Sequence, residues 1–179
     1  VFFVLRILLT TGLLRHGKTI EPWQITSASA IGTLIWSLHP LRTEPVAWAG
    51  ANFYPQAMFF LLLSLLCYLW ANGADISPHS HLRRILASAG LFAAALLSHP
   101  IVIGLIAVLI VLDVYPLGRI QWEQRGSVAF RAALLEKIPF AFAAIAIAIV
   151  TVSLRTASAE IWERTLSLAQ FGLFERFMQ

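Results

Sequence analysis

Long apolar runs, broken by short polar stretches, set the pattern of this chain. A hydrocarbon core of roughly 30 Å takes about 20 apolar residues in a helix. Five or six candidate spans follow from that rule. The first covers residues 1–14, and the second about 24–39, short and rich in small residues. The third covers about 55–71, PQAMFFLLLSLLCYLWA. The run 83–116 is too long for one span and too short for two generous ones. Its His99-Pro100 pair interrupts it, because proline disfavours helix at the residue before it, so it reads as two short helices, 83–98 and 100–115, meeting at a tight turn. The last span is about 135–154.

Beyond Leu154 the period changes. Trp162, Leu166, Ala169, Leu173 and Phe177 recur at helical spacing, with Arg164, Ser167 and Glu175 on the other side. That pattern predicts an amphipathic helix, with Ser158 as cap and Glu160 and Glu163 in the first turn. The expected fold is all-α, a polytopic transmembrane helical bundle of five or six spans with this tail helix. The expected division is 1–155 for the transmembrane region and 156–179 for an extracytoplasmic or interfacial helix.

Composition strengthens the membrane reading. Of 179 residues, 59% are hydrophobic and 12% charged, with a mean hydropathy of +0.78. Soluble domains carry about 25% charged residues. The run VFFVLRILLTTGLL lacks a basic leader and a cleavage site, so no signal peptide is expected. The chain starts and stops inside apolar or helical patterns and is expected to be part of a longer protein. The net charge of +4 reads as loop charge that sets orientation, with no nucleic-acid partner implied. Arg15, Lys18, Arg83, Arg84, Arg119, Arg125, Arg131 and Lys137 fall on one predicted side. Arg42, Arg155, Arg164 and Arg176 fall on the other. The richer side is assigned to the cytoplasm. The single cysteine, Cys67, forms no intrachain disulfide and does not report on redox compartment.

The polar stretch SLHPLRTEPVAWAG, residues 37–50, sits between two apolar runs on the extracytoplasmic side. Two readings stand side by side. In one it is a re-entry loop, with Trp48 and Tyr54 as aromatic anchors at the headgroups. In the other, His39, Arg42 and Glu44 line a pocket at the membrane surface. Arginine suits a phosphate through its planar fork, histidine moves protons near neutral pH, and glutamate positions a hydroxyl or acts as a base. His99 ends a span on the same face, and polar groups at one depth of an apolar run imply a shared wet pocket. A metal site built from His39, His99 and Glu44 has no supporting spacing. His79 and His81 read as a solvated loop, Asp113 as a helix-end charge facing water or Arg119, and Glu136 as favourable near a helix N-terminus. No phosphate-binding loop, nucleophile elbow, zinc motif or dinucleotide fingerprint is present.

LHPLRTEPVAW at 38–48, LDVYPLGRI at 112–120 and LLEKIP at 134–139, in this order, resemble the membrane region of bacterial GT-C-type glycosyltransferases of the protein O-mannosyltransferase-like group. Relatives in that group often carry C-terminal tetratricopeptide repeats. The resemblance covers nearly the whole chain. It implies an integral protein of the bacterial inner membrane. Such a protein transfers a sugar from a polyprenyl-phosphate carrier on the extracytoplasmic face, to an acceptor that in this group includes protein Ser and Thr. No cofactor beyond that lipid-linked donor is implied, and metal dependence stays open.

The sequence departs from the family at informative places. Where the family usually has an acidic Arg-x-Asp pattern, this chain has Asn52 and Tyr54. A lysine common before the proline at the fifth–sixth helix turn is His99 here. The family's main catalytic carboxylates lie upstream of the second helix, before Val1 of this chain. The substrate-binding candidates are therefore His39, Arg42, Glu44, Asn52, Tyr54 and His99. The rival expectation is a non-catalytic membrane scaffold or transporter subunit.

Overall fold

The computed structural model describes residues 1–17, 21–40, 47, 50, 52–73, 77–120 and 128–161, with the side chains of 129 and 155–161 excepted. Among them every regular element is helical. In chain order these are α1 (Phe2–Arg15), α2 (Pro22–Ser37), α3 (Phe53–Ala71), α4 (Pro78–Ser98), a 3₁₀ segment (Pro100–Gly104), α5 (Leu105–Val114), α6 (Val128–Leu135) and α7 (Ile138–Ile161). One compact unit covers Val1–Ile145 and a second Ala146–Gln179.

Local chemistry fixes the helix starts. Pro22 and Pro78 occupy first-turn positions, where a missing N–H costs nothing. The Glu21 amide donates to the Gln24 side chain at 3.1 Å, and Ser77 caps α4 by accepting from the Ser80 amide at 3.4 Å. His79 and His81 are thus in the first turn of α4, where a loop was expected. Pro78 and the Ser77 cap extend that helix upstream of residue 83. The His99-Pro100 break falls as the sequence predicts. His99 is extended, at φ −158° and ψ 127°, and its Nδ1 accepts the Ile101 amide at 3.2 Å, so one residue ends α4 and caps the 3₁₀ segment.

The helices α3 and α4 make the most extensive pairing in the first unit. Their seam holds a reciprocal clamp. Ser64 Oγ donates to the Ser88 carbonyl at 2.8 Å, and Ser88 Oγ donates to the Ser64 carbonyl at 2.6 Å. Small buried residues, Ala57 and Ala71 on α3 and Ala89 and Ala95 on α4, suit close backbone approach of the kind found between helices in lipid. The start of α7 joins this core through Phe140, whose ring lies 6.3 Å from Tyr68 and 5.7 Å from Phe92.

Among the described residues two helical stretches, Phe53–Ala71 and Phe130–Leu154, are long and apolar enough to cross a membrane, against the five or six expected from the sequence. The shortfall has physical causes. At 1.5 Å per residue α1 and α2 reach only about 21 and 24 Å. The 3₁₀ segment with α5 is a shorter apolar helix, and α4 opens on the polar turns PHSHLRR. Only 28% and 17% of the apolar windows of the two long stretches are buried. Most of their apolar surface faces outward, unlike the core helix of a soluble protein. In the second unit the same holds of Ile149, Val150, Val152 and Leu154 on α7, all exposed. Residues 162–179, on which most of the amphipathic tail pattern falls, lie outside the described residues, whereas Ser158 and Glu160, expected at its cap and first turn, continue α7.

Candidate functional site

The ends of the helices in the first unit carry its chemistry, and the two ends differ. Where α3 begins and α4 finishes, three rings meet. The Phe53 and His99 rings stack at 5.3 Å and 9°, Tyr54 lies 4.8 Å from His99, and the Phe53 and Tyr54 centroids are 4.4 Å apart. Asn52 occupies the cap position of α3 without a side-chain capping bond. Of the sequence candidates, Tyr54 and His99 are therefore brought together, and Asn52 adjoins them in the chain. His39 follows α2 and is exposed. Arg42 and Glu44 lie outside the described residues.

At the opposite end a buried ionic network ties four elements together. Its centre is Asp113, fully buried in the last turn of α5. Tyr68 Oη donates to Asp113 Oδ1 at 2.6 Å, and Lys137 Nζ donates to Asp113 Oδ2 at 2.5 Å. Lys137 also donates to the Tyr68 hydroxyl, and to the Ala133 carbonyl at 3.3 Å. Arg119 reaches Asp113 Oδ1 at 3.4 Å and closes a two-pronged pair with Glu136, at 2.6 Å to Oε2 and 2.5 Å to Oε1. His81 Nε2 lies 3.4 Å from Glu136 Oε1. The Asp113 backbone carbonyl accepts the amides of Arg119 at 2.7 Å and Ile120 at 3.1 Å, which folds the 115–120 turn back over the site.

The turn itself depends on a left-handed glycine. Gly118 has φ +66°, and a Cβ there would stand 2.8 Å from the Arg15 guanidinium carbon. That guanidinium donates to the Val114 carbonyl at 2.8 Å, so α1 braces the same turn.

Charges inside an apolar region are costly unless paired and hydrogen-bonded. Here two carboxylates face Arg119 and Lys137, which balances the formal charge. Burial opposes the charge on Arg119, but its hydrogen bond to Glu136 and that carboxylate's charge outweigh it and hold the guanidinium above its ordinary pKa. No buried side-chain nitrogen or oxygen among the described residues lacks a partner. So the network can brace and position its helices, and each of its charges is already engaged. No cluster of three His, Cys, Asp or Glu forms among the described residues.

Asp113 does not face water, one of the two surroundings considered from sequence; it takes the other, Arg119, and adds Tyr68 and Lys137. Glu136 does more than favour a helix start, since it anchors Arg119. Tyr68 was not singled out by the sequence, and Lys137 entered only as a charge on the cytoplasmic side and as part of LLEKIP at 134–139. The available signal was that each interrupts or borders an apolar run, where a polar group implies a partner. No protein-family model, curated protein or solved structure matches this chain.

Proposed function

We propose that this chain is part of the membrane domain of a polytopic glycosyltransferase that uses a polyprenyl-phosphate-linked sugar on the extracytoplasmic face. One observation carries the reading. The stretches 112–120 and 134–139, two of the three on which the family resemblance rests, are joined by the pairs Asp113–Lys137 and Arg119–Glu136. Residues 24 and 17 positions of sequence apart in that resemblance thus act as one brace at the cytoplasmic end, which keeps the helices in register. The opposite end, with Phe53, Tyr54 and His99, is the mouth at which the carrier and acceptor meet. In this reading the protein is integral to the bacterial inner membrane, and the shorter helices complete the span count within the intact protein.

A second reading, a non-catalytic scaffold or transporter subunit, is favoured by a separate observation: the charges of the brace are mutually engaged and leave none for a substrate. The test is sugar transfer by the full-length protein in liposomes, from a radiolabelled polyprenyl-phosphate sugar to a Ser/Thr-containing acceptor. Arg42→Ala and Tyr54→Ala are compared with wild type at equal folded amounts. Transfer that is lost in Arg42→Ala and reduced in Tyr54→Ala supports the enzyme. No transfer by the wild-type protein supports the scaffold, and unchanged transfer by both variants removes this mouth from the site.

A further inference from the structure

A groove of about 560 Å³ runs between α1 and α5. Its walls are Leu5, Leu8, Leu9 and Leu13 of α1 and Leu112 of α5. The α1 residues fall at i, i+3, i+4 and i+8, one face of a helix. Its floor includes Gly12, where a Cβ would meet the Tyr115 hydroxyl at 3.3 Å, so a side chain there would crowd the channel. At one end the character changes. The rings of His16 and Tyr115 meet edge to face at 5.9 Å and close the groove. Arg15 stands beside them, 5.8 Å from the Tyr115 ring, with one N–H on the Val114 carbonyl. Arg15 and His16 are both exposed.

Length and charge together select an occupant. From Leu5 to His16 the helix rises about 16 Å at 1.5 Å per residue. One leaflet of a roughly 30 Å hydrocarbon core is about 15 Å deep. The groove is therefore one acyl chain long, apolar along its length and basic at its head. That end is also the end assigned to the cytoplasm, whose leaflet is anionic.

We propose that this groove seats one acyl chain of an anionic phospholipid, with Arg15 and His16 against the headgroup phosphate. The inference rests on the membrane reading and is independent of the glycosyltransferase one. An arginine with one N–H engaged retains the rest of its fork for a phosphate. The contact of Arg15 with the Val114 carbonyl links the lipid to the turn that carries Gly118 and Arg119.

The experiment is native mass spectrometry of the full-length protein in detergent, titrated separately with phosphatidylglycerol and phosphatidylcholine of matched chains. Wild type should retain one phosphatidylglycerol and prefer it by about fivefold, the effect of one basic residue beside an anionic headgroup. Leu9→Trp, which fills the groove with apolar bulk, should abolish that retention, and Leu8→Phe should weaken it if the tryptophan variant does not fold. Arg15→Gln should keep a bound lipid and lose the headgroup preference. Millimolar inorganic phosphate should not displace the lipid. Equal retention of the two lipids by wild type overturns the proposal, as does wild-type retention by folded Leu9→Trp, or displacement by phosphate alone. Carbonate extraction of cell membranes separates the two failures. A chain released by carbonate refutes the membrane reading, whereas a chain retained without lipid preference refutes only this site.

Discussion

Asp113→Asn is an isosteric way to ask whether the buried network is a true ion pair. It keeps one acceptor oxygen for Tyr68 and removes the negative charge opposite Lys137, whose side chain is 8% exposed. The ammonium is then left with the Ala133 carbonyl at 3.3 Å and the Tyr68 hydroxyl. Removing one partner of a buried pair costs about 3–5 kcal/mol. Lys137→Met should cost less, because Asp113 keeps Tyr68 at 2.6 Å and Arg119 at 3.4 Å. Asp113 there loses one charged hydrogen bond, about 1.5–3 kcal/mol, and the contacts of Lys137 with Tyr68 and Ala133 end with it. The double variant carries neither charge and should be more stable than Asp113→Asn alone. The expected coupling is about 2 kcal/mol or more, well above the roughly 0.6 kcal/mol average for interhelical hydrogen bonds in lipid. The assay is reversible unfolding of the four proteins in mixed micelles, followed by circular dichroism. Effects that add to within about 0.5 kcal/mol would refute the pairing, since additivity is the behaviour of independent sites.

Three further outcomes follow from the geometry. Ser88→Ala removes one arm of the Ser64–Ser88 clamp and should cost about 0.6–1.7 kcal/mol in the same unfolding assay, while Ser88→Val, which adds bulk at the seam, should cost about 1–3 kcal/mol more. Gly118→Ala should lose about 1–2 kcal/mol from its left-handed backbone alone, and a variant as stable as wild type would mean that the turn is not held at φ +66°. Single cysteines placed by Ser80→Cys and Gly50→Cys, in a chain carrying Cys67→Ser, should react with an impermeant maleimide from opposite sides of the membrane. Labelling of both from one side would invalidate the alternating arrangement.

Most helix positions were legible because apolar period and proline placement act locally, but α6 was not among the expected elements and residues 100–104, expected to open a helix, form a 3₁₀ segment. The break at His99-Pro100 was read at its position, and α3 begins only two residues before its expected start. Where α4 begins was misread, because the pattern HSHLRR is polar and its helical signal lies in Ser77 and Pro78 rather than in hydrophobicity. The network was not legible as a unit. Tyr68 lies 45 residues from Asp113 and 69 from Lys137, separations that no periodicity reports. Tyrosine also reads as one more apolar residue in LLLSLLCYLW. Asp113 and Glu136 were each given a local account, as helix-end charges, and a local account leaves no reason to look for a common partner. The opening candidates fared according to where they sit. Tyr54 and His99 flank helix ends and meet, whereas Arg42 and Glu44 belong to a stretch outside the described residues.

The separation between Asp113 and Lys137 also sets an order of events during synthesis. The chain emerges from its N-terminus at about 5–20 residues per second. Arg119 follows Asp113 within six residues, but Asp113 is made 24 residues before Lys137 and waits about 1–5 s at those rates for that closer contact. Until then Arg119 is the available counter-charge of Asp113, and Arg119 itself lacks its two-pronged partner Glu136. A nascent chain halted before Glu136 therefore has Asp113 and Arg119 without their strongest contacts, Lys137 on the acid and Glu136 on the guanidinium. Glu136 and Lys137 then supply the remaining two charges of the network together, at the entry of α7. Assembly of the full ionic brace and entry of α7 are thereby the same step.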